Sequence, residues 1–379
     1  MENKCIVFGH EHQNSLGQVR TLGERGIRVI AVILKDNSKI TSSSKYVSEK
    51  YFVNSVEQGY DLIIKKWSHE PQKPFIFTSD DIITSYLDQR YDEIKDKFYF
   101  NNCGQQGLIT FYMNKTRMCK VASEHGFEVP KLFKLDQNAD INEIQFPVIT
   151  KANASLHENW KDDSCVCKSS QELMAAIKKH GKNDIIVQEY IEKDNELCLE
   201  GYSYNDGNDV FIPVGITFKY LVNGAYAHYL NVFNFHDEEL AQKVKRLLSF
   251  FKYNGVFEVE FVKSKSGKLY FLEINFRNSC WGYVTQKVGM STSYGWIMSI
   301  LSKGVFSMPQ IKIKDGYTAM NEFSDFKIRV LGRMIGFREW SKEFKNCDCK
   351  YYYNGDDKKP FFHALRYKIV KTLFRPKNK

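Results

Sequence analysis

The chain has 379 residues, of which 43% are hydrophobic and 26% charged, and its formal net charge is +9. This composition is typical of a globular protein of two or three domains, and it excludes collagen-like and low-complexity chains. No run of about 18 apolar residues occurs, so the sequence predicts no membrane-spanning helix. The apolar run after the first residues is too short for a secretory signal, and we therefore expect a soluble cytoplasmic protein.

The nine cysteines are scattered along the chain, and their odd number argues against a disulfide framework. Cys165 with Cys167, and Cys347 with Cys349, form two Cys-x-Cys pairs. Neither pair has histidines nearby at zinc-site spacing. On a strand such a pair places two small side chains on one face, and we favour this structural interpretation.

The first 35 residues read as strand (4–8), helix (16–25) and strand (27–34), which predicts a Rossmann-like βαβ unit. The loop from Gly9 to Gly17 lacks the G-x-G-x-x-G pattern. An oxidoreductase that uses a dinucleotide is therefore disfavoured.

A further apolar segment, 74–78, is followed by Asp80 and Asp81. The carboxyl ends of parallel strands form the edge at which α/β sheets bind ligands. An aspartate in this position is equally suited to be the N-cap of the next helix. Both interpretations stay open.

From about residue 113 the pattern changes to short strands with few helices, which indicates an α+β module. Asn114 is a candidate cap for a helix that continues to Glu124, and Asp237 opens a clear helix at 237–252. The predicted strands are 146–151, 185–191, 197–204, 210–218, 255–263 and 268–275. Beyond residue 306 the periodicity is weak.

The most informative segment is a predicted hairpin with carboxylates in both arms. Residues two apart on a strand share a face, so Glu258 shares a face with Glu260, and Glu273 with Asn275 and Arg277. The apolar residues between them are expected to face the core: Val259, Phe261, Leu272, Ile274 and Phe276. Carboxylates with an amide oxygen suit Mg²⁺, and Arg277 is placed to stabilise an anion. The alternative is a solvated polar face.

Several segments around this hairpin resemble the ATP-grasp ligases, in the family's order, over about 113–300. The matching segments are Asn114-Lys115 with 126–130, the strand 146–151 that ends in Lys151, the hinge 187–192, Glu196, and 258–277. The resemblance implies an α/β plus α+β fold. A Rossmann-like domain (1–112) would precede a small lobe (113–205), a large lobe with the metal site (206–305) and an extension with a basic tail (306–379).

The resemblance also implies ATP and Mg²⁺ as cofactors and assigns roles to individual residues. Nucleotide binding falls to Lys115, Lys151, Glu189, Tyr190, Ile191 and Glu196, metal binding to Glu260, Glu273 and Asn275, and catalysis to Arg277 and Lys151.

One segment departs from the family pattern. The ten residues after Lys151 contain no glycine, although backbone cradling of phosphates usually requires glycine. Side chains such as Ser155 or His157 are candidates to replace it. The strings 273–279 and 321–325 are similar to carboxylate–amine ligases of the D-aspartate ligase and surface-polymer type.

The implied reaction is the formation of an amide from a small carboxylic acid and an amine through an acylphosphate, with an amino acid or a polymer precursor as substrate. Alternatives are a non-catalytic nucleotide-binding protein and an enzyme that uses a small acid, as carbamoyl phosphate enzymes do. His228, between aromatic residues, either packs in the interior or faces the nucleotide.

The C-terminal segment is basic. Residues 350–379 carry nine Lys and Arg against two Asp, whereas the rest of the chain is only +2. The chain as a whole is therefore not a nucleic-acid binder. Phe361, Leu365, Ile369 and Leu373 repeat every four residues, which predicts either a helix packed on the body or a peripheral contact of 358–379 with an anionic membrane.

Overall fold

A computed structural model describes residues 2–133, 144–153, 164–180, 185–222 and 227–373. Within these ranges the chain forms three sheets, of five, four and seven strands. None of the described helices is long and apolar enough to cross a membrane.

The N-terminal part is a five-stranded parallel sheet, which agrees with the predicted Rossmann-like domain. The strands follow the spatial order β3-β2-β1-β4-β5. Apolar side chains fill both faces, because Ile6 and Phe8 join one core and Cys5 and Val7 join the other. The elements are β1 (Cys5–His10), α1 (Gln13–Gly23), β2 (Val29–Leu34), β3 (Val47–Val53), α2 (Val56–Trp67), β4 (Phe75–Thr78), α3 (Asp81–Asp88), α4 (Tyr91–Ile94), β5 (Tyr99–Phe100) and α5 (Leu108–Tyr112).

A smaller sheet follows, with the order β6-β9-β7-β8. One face packs on α7 through Val148, Leu173 and Val187. Its pairings are antiparallel. The elements are α6 (Lys115–Glu124), β6 (Leu132–Phe133), β7 (Val148–Ala152), β8 (Cys165–Cys167), α7 (Ser170–His180) and β9 (Ile185–Glu189).

The largest sheet has the order β14-β13-β10-β11-β12-β15-β16 and separates two apolar cores. Alternation along β10 places Cys198 in one core and Leu199 in the other. Its elements are β10 (Lys193–Tyr204), β11 (Asp209–Phe218), β12 (Tyr229–Asn234), α8 (Glu238–Phe251), β13 (Gly255–Ser264), β14 (Leu269–Asn275), α9 (Tyr283–Lys287), α10 (Thr292–Leu301), β15 (Thr318–Met320), α11 (Glu322–Asp325), a π-helical turn (Phe326–Leu331), α12 (Phe337–Asn346), β16 (Cys349–Lys350) and α13 (Lys359–Leu373).

Two of the predicted domain boundaries differ from this topology. β10 pairs with β11 and β13, so it belongs to the seven-stranded sheet and not to the small lobe in which a boundary at 205 would place it. The extension is likewise not separate, because β15 and β16 add two strands to that sheet. Edge strands of two or three residues carry too little alternation to be seen in a sequence.

The cysteine interpretation and the packed-helix alternative are both confirmed. All nine cysteines are free, and Cys165 and Cys167 lie together in β8. Of the second pair only Cys349 lies in a strand, β16, because Cys347 is the C-cap of α12. α13 packs on the body through Phe361 and Ala364, whereas Ile369, which was predicted to lie in the same apolar stripe, is 49% exposed. The side chain of Leu373 lies outside the described residues.

Candidate functional site

The hairpin of β13 and β14 brings four polar side chains to one face of the large sheet. Glu258 lies opposite Asn275, and Glu260 lies opposite Glu273. The Asn275 amide donates from Nδ2 to Glu258 Oε2 at 3.0 Å and to Glu260 Oε1 at 2.9 Å. Both amide hydrogens are thereby committed to carboxylates, which fixes the direction of the amide oxygen.

The opposite face of the hairpin is apolar, as predicted, with one correction. Val259, Phe261, Ile274 and Phe276 lie in a core, but Phe271 takes the place expected for Leu272. The pairing register shifts between Glu260 and Phe261. The extra residue of this bulge reverses the side-chain alternation on one side of it, which a strict period of two cannot anticipate.

Arg277 connects this hairpin to the N-terminal sheet. Its Nε donates to Asp81 Oδ1 at 2.6 Å, and Nη2 donates to Asp81 Oδ2 at 3.3 Å and to Asn275 Oδ1 at 3.1 Å. Asp81 is the first residue of α3, at the carboxyl edge of the parallel sheet. Burial lowers the pKa of Arg277, but Asp81 outweighs this effect and the pKa is raised. The guanidinium is therefore held, charged, between the two sheets.

Of the two interpretations of Asp80 and Asp81, the helix N-cap applies to Asp80, and Asp81 stays the candidate at the ligand-binding edge. Asp80 is the N-cap of α3 and accepts a hydrogen bond from the backbone of Ile83 at 2.8 Å. Its Oδ2 also lies 2.6 Å from Nε2 of His10. Asp81 is the residue at this edge that reaches the hairpin.

Two lysines face the carboxylates of the hairpin. Lys115 begins α6, forms an ion pair with Glu273, and donates its backbone NH to the carbonyl of Asn153 at 2.8 Å. Burial lowers the pKa of Lys115, but Glu273 more than compensates and raises it. For Lys151, on β7, burial and the charge of Lys115 together lower the pKa. A second cation beside Lys115 is destabilised until an anion binds, which suits a site for phosphates.

The two carboxyl groups on β13, those of Glu258 and Glu260, are deeply buried. Burial first, and then neighbouring carboxylates, raise the pKa of Glu258 and of Glu260 well above the ordinary value. Among the described residues Glu258 Oε1 has no hydrogen-bond partner. Neighbouring buried carboxyls that resist ionisation, with one oxygen left without a partner, fit a site where a hard cation would take the place of the proton.

Mg²⁺ usually takes only one or two carboxylates from a protein and fills its shell with phosphate and water oxygens. Glu260, Glu273 and the oxygen of Asn275 are suitable donors for such a partial shell. Within the described ranges, no cluster of three or more His, Cys, Asp or Glu side chains is arranged to hold a metal by itself.

The predicted hinge and ribose residues lie beside the small sheet. β9 ends at Glu189, whose backbone NH donates to the carbonyl of Lys131 at 2.8 Å, and Tyr190 NH donates to the carbonyl of Pro147 at 3.2 Å. Ile191 follows in the connection to β10. Glu196 shares its face of β10 with Cys198, the residue opposite Glu260, and its Oε1 lies 2.5 Å from Lys193 Nζ. Their roles in nucleotide binding stay predictions.

His228 is packed in the interior. Its ring centroid is 6.0 Å from that of Trp281, and burial lowers its pKa to about 4. Asn321, from the later string, caps α11 and its side chain donates to Gln13. The glycine-free flap with Ser155 and His157 lies outside the described residues.

Sequence reasoning missed Glu200 and Ser279. Glu200 lies opposite Glu258, and its carboxylate accepts a hydrogen bond from the Ser279 hydroxyl. Burial raises the pKa of Glu200 to about 7. The signal was available, because the spacing of Glu196, Cys198 and Glu200 places all three on one strand face.

Known proteins share this architecture. Residues 120–293 match the family model described as the ATP-grasp domain. N5-carboxyaminoimidazole ribonucleotide synthase of Aquifex aeolicus (strain VF5) is 23% identical over 286 residues, which are 74% of each chain. The structure of N5-carboxyaminoimidazole synthetase from Staphylococcus aureus superposes with a TM-score of 0.67 at 15% identity, over 89% of this chain and 86% of that one.

A further neighbour contains nucleotide and metal. The biotin carboxylase domain of Hydrogenobacter thermophilus 2-oxoglutarate carboxylase, in complex with MgADP, ADP and bicarbonate, has a TM-score of 0.62 at 18% identity. The match covers 82% of this chain and 72% of that one.

The fold and the family match define the class of this protein. It is an α/β enzyme with a two-lobed ATP-grasp module. Residues 120–293 form an ATP-grasp domain, which assigns this part of the chain to the ATP-grasp ligases, with ATP and Mg²⁺ as cofactors.

Proposed function

We propose that this ligase joins the carboxyl group of a small acid to an amine through an acylphosphate. The observation that carries the proposal is the meeting of Lys115, Glu273, Asn275 and Arg277 at one end of the hairpin, next to Asp81 at the start of α3. This arrangement puts phosphate-binding cations, metal-binding oxygens and an anion-stabilising guanidinium side by side.

Each residue then has a defined task. Lys115 and Lys151 bind the phosphates, Glu196 accepts hydrogen bonds from the ribose, and Glu189, Tyr190 and Ile191 border the adenine. Glu260, Glu273 and Asn275 hold Mg²⁺, which neutralises phosphate charge when bound. Arg277 stabilises the oxyanion that develops on the carboxyl group, and Asp81 keeps its guanidinium in place.

The proposed reaction has two steps. A carboxylate oxygen attacks the γ-phosphorus, and ADP leaves. The amine nitrogen then attacks the acyl carbon, phosphate leaves and the nitrogen loses a proton. Most of the rate enhancement comes from positioning and electrostatics, because fixed charges surround the transferred group.

We propose an amino acid or a precursor of a cell-wall or surface polymer as one substrate, in a subgroup similar to the D-aspartate ligases. The strings 273–279 and 321–325 support this assignment. A second candidate acid is bicarbonate, which is favoured by the likeness to the Hydrogenobacter domain that holds bicarbonate. A non-catalytic nucleotide-binding protein would have no need for both the metal donors and Arg277.

The test is ADP release by the purified full chain with MgATP, in the presence of pooled L- and D-amino acids or of bicarbonate. Release that depends on an acid and is lost in Lys151→Ala supports the proposal. Lys168→Ala, which removes an exposed lysine from the same lobe, is the matched control and should keep full activity. The non-catalytic alternative would be favoured if the chain binds ATP but releases no ADP with any acid. This includes the case in which a macromolecular acceptor is added as well.

We further propose that the enzyme acts in the cytoplasm, with its basic tail, 358–379, in contact with the inner face of the membrane. An anionic bilayer attracts nearby Lys and Arg side chains, and each contributes about 1 kcal/mol to the binding free energy.

A further inference from the structure

A continuous row of aromatic rings crosses the C-terminal extension. It begins on α12 and ends on α13, with centroids 5.2 to 6.5 Å apart between successive rings. In order, the rings are those of Phe337, Trp340, Phe344, Tyr353, Phe361 and Phe362. None of the six residues is fully buried, and Phe337 and Phe362 at the two ends are 63% and 59% exposed.

More apolar side chains extend this row into solvent. Leu331, the last residue of the π-helical turn, is 64% exposed, and Met334, in the short connection to α12, is 52% exposed. At the other end Ile369 of α13 is 49% exposed. Single exposed apolar residues are ordinary, but a contiguous group of this size marks an interaction surface.

The same region carries the net positive charge of the molecule. Residues 326–379 contain fifteen Lys and Arg against five Asp and Glu, a net charge of +10, which leaves −1 for the first 325 residues. Many of the basic side chains are exposed between the apolar ones: Lys327, Arg333, Arg338, Lys342, Lys345, Lys359 and Arg366. We call this combination the aromatic–basic surface.

We propose that the aromatic–basic surface docks on an anionic lipid membrane, with Leu331, Met334 and Phe337 inserted among the acyl chains and the basic residues at the headgroups. The two ingredients are those of interfacial membrane contacts, apolar side chains for insertion and Lys or Arg for anionic lipid. The inference goes beyond a tail contact, because the apolar tip precedes residue 350 and is part of the folded body.

Two other occupants fit the surface less well. A second copy of this chain would bring another surface of the same high positive charge against it, which like-charge repulsion opposes. A nucleic acid would satisfy the charge, but it would leave aliphatic side chains such as Leu331 and Met334 without an apolar environment. The residues of the surface do not belong to the hairpin site, so the inference does not depend on the proposed reaction.

The experiment is cosedimentation of the full chain with vesicles of phosphatidylglycerol and phosphatidylcholine, compared with phosphatidylcholine alone. We expect binding to the anionic vesicles that weakens with added salt. The double variant Leu331→Ser/Phe337→Ser should bind about tenfold more weakly, because it removes inserted apolar area. Arg338→Gln/Lys342→Gln should bind about 25-fold more weakly, at about fivefold for each charge.

Val305→Ser is the matched control, because Val305 is 85% exposed but lies outside the surface, and its binding should be unchanged. An unfolding transition in denaturant that matches the wild type shows that each variant is folded. The proposal is overturned by equal binding to neutral vesicles, or by Leu331→Ser/Phe337→Ser binding as the wild type does. It is also overturned by binding to RNA instead of vesicles, or by a concentration-dependent dimer that this double variant abolishes.

Discussion

Individual charges in the site alternate in sign. Lys115 neutralises Glu273, and Asp81 neutralises Arg277. Glu273 is correspondingly the hairpin carboxyl with a lowered pKa: burial raises the value, but Lys115 reverses the effect. In the proposed function, this ionised Glu273 would bind the metal ion, and the phosphates of the nucleotide would replace Glu273 as the partner of Lys115.

Replacing Glu273 by Gln removes this charge with little change in shape. We expect the variant to bind ATP but to lose about 100-fold in kcat, because a fixed charge at the transferring phosphate is lost. Steady-state ADP release and nucleotide titration together separate the two effects. Glu128→Gln, on an exposed carboxylate that pairs with Lys268, is the control and should be active. An unimpaired Glu273→Gln variant would remove the metal assignment.

His228 predicts a pH dependence of stability. Its pKa is lowered from 6.5 to about 4 by burial, so below pH 6.5 the unfolded chain takes up a proton that the folded chain refuses. Stability therefore falls as the pH decreases from 6.5 towards 4. We expect His228→Phe to reduce the loss of unfolding free energy between pH 7 and pH 5 by about 2 kcal/mol. Denaturant titrations at the two pH values measure this, with His69→Phe, at an exposed position, as the control.

At the scale of elements, the hairpin was the most predictable part of the site. Alternation with a period of two assigned Glu258, Glu260, Glu273 and Asn275 to their faces before any contact was known. The caps at Asn114 and Asp237 were readable for a similar reason, since each is a local arrangement of a few residues. The predicted alternation was wrong at the bulge, where Phe271 and not Leu272 faces the core, because a register shift depends on the neighbouring strand.

The link between α3 and the end of β14 predicts a separate kinetic effect. Asp81→Asn should weaken the hold on Arg277 and lower kcat about tenfold or more, with a small change in the KM for ATP, since positioning is affected more than binding. Steady-state kinetics at varied ATP concentration test this. Asp92→Asn, at an exposed position in the same part of the chain, should behave as the wild type does. An Asp81→Asn variant whose only change is a raised KM for ATP would contradict the role of Asp81 in positioning Arg277.

Across the whole molecule, the two ends of the chain are tied together by a buried ion pair. Arg20 of α1 donates from Nε to Asp357 Oδ2 at 2.9 Å, and its other nitrogens donate to the carbonyls of Tyr351, Tyr352 and Asp357. Asp357 also accepts from Ser44 and from the backbone of Lys45. The segment just before α13 is thus anchored to the N-terminal sheet.

Removing one partner of this pair leaves a buried charge uncompensated. We expect Asp357→Ala to lower the free energy of unfolding by about 3–5 kcal/mol. Asp356→Ala, at the exposed neighbouring position, should change it by about 0.5 kcal/mol or less. Chemical denaturation of both variants measures the difference, and similar stabilities would contradict the anchoring role.

Such long-range contacts mark the limit of what the sequence could predict. The parallel sheet, the family and the shared face of the hairpin carboxylates follow from local pattern or from motifs in a fixed order. Arg20 with Asp357, Asp81 with Arg277, and Gln13 with Asn321 join residues that are 196 or more positions apart, and no local pattern encodes those pairings. β15 and β16 were missed for the same reason, since their pairing partners rather than their own residues define them.

The most direct test of the central claim is to trap the activated acid. The purified chain, MgATP, hydroxylamine and pooled amino acids or other small carboxylic acids are incubated together, and acyl hydroxamate is measured beside ADP. An acylphosphate is captured by hydroxylamine whatever the natural amine is. The account predicts hydroxamate in proportion to ADP with at least one acid, and about 100-fold slower formation of both products with Glu273→Gln. ADP formed in full without hydroxamate, from every acid offered, would contradict it.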